Sequence, residues 1–140
     1  MVTAERFAQG LTIPEYVAQM RTNREAFARL LAEAKVSPED RDALGALTRK
    51  VKILVITEDW CPDSLRTIPV LARLVDGLPN VEMRLFLRDG NPDVMDQYLK
   101  RGQFRSIPVF ALFDEEMNEI GRMLEVKMNV VGQIRTLLKV

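Results

Sequence analysis

The sequence predicts an α/β fold, in which a four-stranded mixed sheet is flanked by helices and preceded by two N-terminal helices. Three observations support this prediction. The first fifty residues have helical periodicity, a β-branched apolar run follows at residues 51–57, and a helix, strand, helix, hairpin and last helix come after it. A strand–helix–strand unit implies a parallel right-handed crossover, whereas a hairpin adds antiparallel strands, so the sheet is mixed.

The two N-terminal helices are predicted from apolar spacing and from residues typical of helix starts. The first is expected over residues 12–36, where Thr12 and Glu15 match a capping box. The second is expected over residues 38–49, because Ser37 is a good N-cap and the next residue is proline. The chain therefore begins with a helical extension.

The rest of the chain is predicted to form the sheet and its covering helices. We expect one domain over residues 1–140, with residues 1–50 as the helical extension and residues 51–140 as the core. Pro69 interrupts a predicted helix and should kink it. In chain order, the predicted core elements are strand 51–57, helix 63–75, strand 81–87, helix 92–100, hairpin strands 107–113 and 119–126, and helix 130–139.

The composition excludes several classes of function. Lys plus Arg equals Asp plus Glu at 20 each, so no overall field attracts nucleic acid or an anionic membrane. The absence of histidine excludes Ser-His-Asp and Cys-His catalysis and removes the commonest metal ligand. The N-terminal segment lacks the apolar stretch of a signal peptide, and one cysteine cannot form an internal disulfide. We expect a cytoplasmic protein with no metal and no cofactor, which binds neither nucleic acid nor membrane.

The only cysteine, Cys61, lies between the end of a buried strand and the start of a helix. Open α/β sheets carry their sites at such strand ends. Free N–H groups and the helix dipole favour an anion there, so we expect Cys61 to be exposed and to ionise readily to the nucleophilic thiolate. Ser64 can donate a hydroxyl hydrogen bond to that thiolate, whereas Asp63 opposes ionisation by charge repulsion. The net effect of the two neighbours stays open.

The segment Trp60-Cys61-Pro62-Asp63-Ser64 follows a predicted strand and precedes an amphipathic helix, and Ile107-Pro108 opens a later hairpin strand. This order of features resembles the thioredoxin superfamily over about residues 51–140. The resemblance implies a thioredoxin-like fold and a nucleophilic role for Cys61. It also implies a cis peptide bond before Pro108, which would face that cysteine.

The resemblance further implies which residues hold a substrate chain. A proline at the head of a strand cannot pair there, which leaves a backbone edge free for a substrate. Gly121 resembles the glycine that the family has near its substrate groove. The expected substrate-binding residues are Trp60, Pro62, Ile107 and Pro108.

Two positions depart from the family pattern. Ser64 occupies the place of the second cysteine, so the chain cannot complete a dithiol–disulfide cycle alone. Val55 stands where typical thioredoxins carry a buried aspartate, and we expect Glu58 and Asp59 to be solvated and to be poor substitutes. The prediction is monothiol thiol–disulfide exchange, with Cys61 and Ser64 as catalytic residues and an external thiol that resolves the intermediate.

Two other functions remain open at this level. The chain could be a non-catalytic protein-binding module on a thioredoxin scaffold, because both the second cysteine and the buried aspartate are missing. It could also be a monothiol iron–sulfur carrier in which two chains share a cluster with small thiols. For exchange, the expected partner is a protein or a low-molecular-weight thiol or disulfide.

Overall fold

The computed structural model describes residues 1–140 and confirms the α/β class with a four-stranded mixed sheet. The strand order is β2-β1-β3-β4, in which β1 is parallel to β2 and antiparallel to β3, and β3 is antiparallel to β4. The strands are β1 (Val51–Thr57), β2 (Val81–Leu87), β3 (Val109–Phe113) and β4 (Glu119–Leu124). The C-terminal ends of β1 and β2 and the start of β3 therefore lie at the same end of the sheet.

Seven helices surround the sheet, and none of them has both the length and the apolar character that crossing a lipid bilayer requires. Four of them precede β1, instead of the two that the sequence predicts. They are α1 (Ala4–Ala8), α2 (Ile13–Gln19), α3 (Arg24–Glu33), α4 (Pro38–Gly45), α5 (Pro62–Val75), α6 (Pro92–Met95) and α7 (Val130–Leu138).

The two-helix prediction for the extension is wrong for two reasons. The helix predicted over residues 12–36 ends at Gln19, because Met20 turns to an extended conformation and Asn23 adopts the left-handed one, with φ 62°. Helix α1 has only 5 residues, capped by the hydroxyl of Thr3, and so is too short to show helical periodicity. The capping box at Thr12 and Glu15 is present and starts α2.

Several core boundaries also differ from prediction. Helix α6 stops at Met95, after which the chain forms turns and a short bridge between Lys100 and Phe104. Strand β4 ends at Leu124, because Glu125 takes a positive φ of 54°. Helix α5 continues through Pro69 to its predicted end.

The hydrophobic core has two parts, one on each face of the sheet. Ile53 and Val55 of β1 belong to one cluster and Leu54 and Ile56 to the other, as the alternation of side chains along a strand requires. The first cluster also takes in buried aromatic and aliphatic residues of the extension. These are Tyr16, Met20, Phe27 and Leu44. The extension therefore shares a core with the sheet.

The extension also covers the exposed edge of β2. Leu11 and Leu85 exchange two backbone hydrogen bonds, of 2.7 and 2.8 Å, which protects an edge strand from pairing with another chain. Gly10 permits this close approach, since a Cβ atom there would lie 2.6 Å from the ring of Phe86 and 2.8 Å from the Cβ of Arg84. The edge is closed by the chain's own N-terminal segment.

Candidate active site at Cys61

Cys61 is the N-cap residue of α5 and lies at the end of the sheet where β1 terminates. Its carbonyl oxygen accepts the N–H of Leu65 at 3.0 Å, and its side chain makes no capping hydrogen bond. Pro62 occupies the first helical position, where its missing N–H costs nothing. The N–H groups of Asp63 and Ser64 lie in the first turn, which has no intrahelical acceptors for them. This end of the helix can therefore stabilise negative charge.

The sulfur of Cys61 points towards the loop that precedes β3. Its Sγ lies 3.8 Å from the carbonyl oxygen of Ile107, to which the thiol donates. The Ile107–Pro108 peptide bond is cis, and the Pro108 carbonyl in turn accepts the N–H of Val126 at 3.2 Å. The start of β3 and the loop after β4 thus form the far side of the site.

The expectation that Cys61 is exposed is wrong, because only 6% of the residue is accessible. Its side chain packs into the second core cluster, together with Ile56, Ile107 and Val109. Periodicity and helix capping place a residue at a helix start, but they do not say which way its side chain turns. The thiol sits at the rim of the core, and a substrate must approach it closely to react.

Ser64 is 2% exposed, and its Oγ has no hydrogen-bond partner. The hydrogen bond that the sequence predicts between this hydroxyl and the Cys61 sulfur is not formed. A buried hydroxyl without a partner costs about 1–3 kcal/mol. Ser64 therefore carries a free donor within the first turn of α5.

Asp63 is the acidic residue next to the site, and its charge is balanced. Its carboxylate accepts from the Arg66 guanidinium at 2.6 Å, and Arg66 also donates to the carbonyl of Lys127 at 3.4 Å. The repulsion expected between Asp63 and a Cys61 thiolate is consequently offset by a neighbouring cation. Arg66 also links the start of α5 to the loop after β4.

The four expected substrate-binding residues divide into an exposed and a buried pair. Trp60 is 47% exposed and Pro62 is also exposed, whereas Ile107 and Pro108 are buried. The guanidinium of Arg88 lies 4.9 Å from the centre of the Trp60 ring, in cation–π contact. The sequence pattern does not indicate a role for Arg88, which follows β2. It does not show this contact because β2 and the Cys61 loop are distant in the sequence.

The loop between β1 and α5 is tied to the N-terminal extension by Asp59. Its Oδ2 accepts the backbone N–H groups of Arg21 at 2.8 Å and Thr22 at 3.2 Å, and Asn23 Nδ2 donates to the Asp59 carbonyl at 3.0 Å. Asp59 is partly exposed, so its carboxylate is solvated as expected and is also bound by these backbone N–H groups. Glu58 likewise accepts the N–H of Asp89 at 3.0 Å. No local sequence pattern indicates these partners.

Two buried hydroxyl groups lie beneath the loop. Tyr16 and Thr57 hydrogen-bond to each other at 3.3 Å, and Thr57 Oγ1 also donates to the Glu58 carbonyl at 3.4 Å. Burial raises the pKa of Tyr16 to about 12. Val55 is fully buried in the same cluster as Tyr16, so the position of the family aspartate is apolar. No group of three or more His, Cys, Asp or Glu side chains is arranged to hold a metal ion.

Comparisons with known proteins agree with this fold. No curated protein matches the chain. A Pseudomonas aeruginosa protein of unknown function shares 24% identity at a TM-score of 0.75, covering 99% of this chain and 86% of that one. An HIV epitope scaffold shares 23% identity at a TM-score of 0.74, covering 99% of this chain and 88% of that one. Similarity at this level of identity establishes the fold.

A named thioredoxin is also similar in structure. Mitochondrial thioredoxin 3 from Saccharomyces cerevisiae, in its oxidized form, has a TM-score of 0.50 and 17% identity, covering 82% of this chain and 99% of that one. The sequence model of the family described as Thioredoxin matches residues 10–133. Since that match includes most of the extension, the sheet and the Cys61 loop, the chain belongs to the thioredoxin family.

Proposed function

We propose that the protein carries out thiol–disulfide exchange through Cys61 alone, with an external thiol that resolves the intermediate. One observation supports this most strongly. The only cysteine of a thioredoxin-family chain caps a 14-residue helix beside a buried hydroxyl, Ser64 Oγ, that has no hydrogen-bond partner. The N-terminus of a helix and nearby hydroxyl donors favour a thiolate, which is the nucleophilic form of cysteine.

The proposed reaction has two balanced steps. In the first, the Cys61 thiolate attacks one sulfur of a disulfide, a new S–S bond forms at Cys61, and the other sulfur leaves as a thiolate that takes a proton from water. In the second, an external thiolate attacks the sulfur that is bonded to Cys61, a new S–S bond forms between these two sulfurs, and Cys61 leaves as a thiolate. The external thiol supplies the electrons, so the protein ends as it began.

Ionisation of the sulfur changes which neighbouring groups can form a hydrogen bond with it. A thiol can donate to the Ile107 carbonyl, but a thiolate has no proton to donate and is repelled by that oxygen. The free Ser64 hydroxyl and the N–H groups of the first helical turn are then the available donors. We infer that ionisation turns the sulfur away from Ile107 and towards Ser64, which would satisfy the unpaired hydroxyl.

Substrate binding is proposed for the surface around the sulfur. Trp60 and Pro62 offer exposed apolar contact on one side, and the backbone at Ile107 and Pro108 borders the other. The substrate class is a protein disulfide or a mixed disulfide with a low-molecular-weight thiol. The cytoplasm is the proposed location, because it supplies reduced small thiols to resolve the intermediate.

Turnover of a peptide–glutathione mixed disulfide, with free glutathione in excess, tests the proposal. The wild-type protein should accelerate release of the peptide thiol, and Cys61→Ser should reduce the rate to that of the uncatalysed reaction. Ser64→Ala should retain turnover at a lower rate, because it removes the free donor but keeps the nucleophile. Wild-type turnover equal to that of Cys61→Ser would contradict the proposal.

A second candidate is a binding module without redox turnover. The 6% exposure of Cys61 favours it, since a buried thiol is often inert. This alternative predicts that the wild-type protein shows no acceleration in the turnover assay. It also predicts that Cys61→Ser leaves the affinity for a protein partner unchanged.

A further inference from the structure

We propose that the N-terminal extension positions the Cys61 loop through Asp59, so that Asp59 is a positioning residue for exchange. The inference rests on the proposed role of Cys61 as the nucleophile. It adds that the N-terminal extension, which lies outside the core of residues 51–140, affects the reactivity of Cys61. Asp59 contacts neither the sulfur nor a substrate. It acts through the placement of Trp60 and Cys61, which directly follow it.

The contacts at Asp59 join two distant segments at three points. Its carboxylate accepts the successive N–H groups of Arg21 and Thr22, at 2.8 and 3.2 Å, in the turn between α2 and α3. The side chain of Asn23 returns a hydrogen bond to the Asp59 carbonyl at 3.0 Å. Both the side chain and the backbone of Asp59 are held by the extension, so the residue has little freedom to move independently of it.

The backbone of the turn is shaped for this contact. Asn23 adopts a left-handed conformation, with φ 62°, and it is the N-cap residue of α3, yet its side chain makes no capping bond with that helix. Asparagine at an N-cap normally bonds to the helix N–H groups. Here the Asn23 amide donates to the Asp59 carbonyl instead, so it contacts the Cys61 loop and does not cap α3.

The extension can hold the loop because it is itself anchored in the core. Just before the turn, the Tyr16 hydroxyl bonds to Thr57 at the end of β1, and the Tyr16 ring packs edge-to-face on Phe27 of α3 at 5.6 Å. The turn that binds Asp59 is therefore flanked by two buried aromatic residues. The extension therefore contacts this region in two places, at Thr57 in the core and at Asp59 on the surface.

Apart from the Asp59 contacts, one backbone contact ties the loop to another segment: the Glu58 carboxylate accepts the N–H of Asp89 at 3.0 Å. Within it, the Cys61 N–H donates to the Glu58 carbonyl at 3.2 Å, and the exposed Trp60 ring is contacted by the Arg88 guanidinium. Reaction rates at a nucleophile depend steeply on its placement, and a displacement near 1 Å costs up to about a hundredfold. Loss of the Asp59 contacts should therefore make the thiol more accessible to a small reagent but less well placed for a disulfide.

The test compares Asp59→Ala with a matched control, Asp114→Ala. Asp114 also accepts two backbone N–H groups, those of Glu116 and Asn118, both at 2.9 Å, but in the β3–β4 turn at the opposite end of the sheet. Asp59→Asn keeps an acceptor oxygen and removes the charge. Asn23→Gly keeps the left-handed backbone and removes only the amide, which supplies a milder variant should Asp59→Ala fold poorly.

Three quantities are measured on each full-length variant. These are acrylamide quenching of Trp60, which is the only tryptophan, the alkylation rate of Cys61 by iodoacetamide, and kcat/KM for the mixed disulfide. For Asp59→Ala we expect stronger quenching, alkylation about threefold faster and exchange about tenfold slower. Asn23→Gly should shift all three in the same direction by less. Asp114→Ala should match the wild type, and Asp59→Asn should recover most of the loss.

Two results would overturn the inference. If Asp59→Ala and Asn23→Gly match Asp114→Ala in all three quantities, the extension does not position the loop. If Asp59→Asn behaves like Asp59→Ala, the acceptor bonds are not responsible. A wild-type protein without exchange activity would contradict the proposed function instead, and quenching and alkylation would still decide whether the Asp59 contacts hold the loop.

Discussion

Removing the hydroxyl group of Tyr16 and removing that of Thr57 should destabilise the protein by unequal amounts. In Tyr16→Phe, Thr57 Oγ1 keeps its bond to the Glu58 carbonyl at 3.4 Å, so one hydrogen bond is lost and the cost is about 1 kcal/mol. In Thr57→Val, the hydroxyl of Tyr16, a residue only 1% exposed, loses its only partner. A buried unpaired hydroxyl costs about 1–3 kcal/mol, and we expect about 2.

The double variant should be more stable than the two single costs suggest. Once Tyr16→Phe is present, no orphaned hydroxyl remains for Thr57→Val to create, so the double variant should lose about 1 kcal/mol rather than about 3. Urea unfolding followed by far-ultraviolet circular dichroism measures each free energy, with the slope m as the check that the unfolding transition is unchanged. Additive losses within about 0.5 kcal/mol, or equal losses for the two single variants, would refute the buried hydroxyl pair.

Three further predictions follow from packing, an unpaired hydroxyl and surface charge. Gly10→Ala should destabilise the protein by about 1–3 kcal/mol in urea unfolding, because the added Cβ would lie 2.6 Å from the Phe86 ring. A loss of stability below about 0.5 kcal/mol would contradict that contact. Ser64→Ala should leave the free energy of unfolding unchanged or raise it by about 1 kcal/mol, since it removes a buried unpaired hydroxyl, and it should slow exchange. A clear destabilisation would show that the hydroxyl has a hydrogen-bond partner in the folded protein. Hydrogen bonds from Arg135 and Lys100 lower the pKa of Asp40 and Glu125 from their usual 3.8 and 4.5. Both pairs therefore stabilise the fold above those pH values, and this contribution is lost as the pH falls below them. The urea midpoint should decline less between pH 7 and pH 3 for Arg135→Gln than for the wild type, and parallel declines would contradict the Asp40 pairing.

The core of the fold could be predicted because its signals are local. A run of β-branched residues buried on both faces identifies β1, and the pattern after it fixes the order of strands and helices. The extension was harder, since its break depends on Asn23, a residue type that tolerates a left-handed conformation but does not require it. A helix of five residues, such as α1, is below the length at which periodicity is informative.

The candidate site was predicted in part. The position of Cys61 at a helix start follows from residue order alone, whereas its closeness to the start of β3 was implied by the resemblance to the thioredoxin superfamily. The burial of Cys61 and the free hydroxyl of Ser64 depend on how side chains turn within the packed structure. The contacts of Asp59 depend on a turn 36–38 residues away in the sequence, where nothing local marks the partners.

The central claim is that Cys61 forms a mixed disulfide that the protein cannot resolve by itself. Intact-protein mass spectrometry tests this directly after the reduced protein is mixed with a peptide–glutathione disulfide. We expect a single adduct on Cys61 that accumulates, because Ser64 has no thiol to displace it, and that disappears when free glutathione is added. If no adduct forms, or if free glutathione leaves the adduct in place, Cys61 does not carry out monothiol exchange.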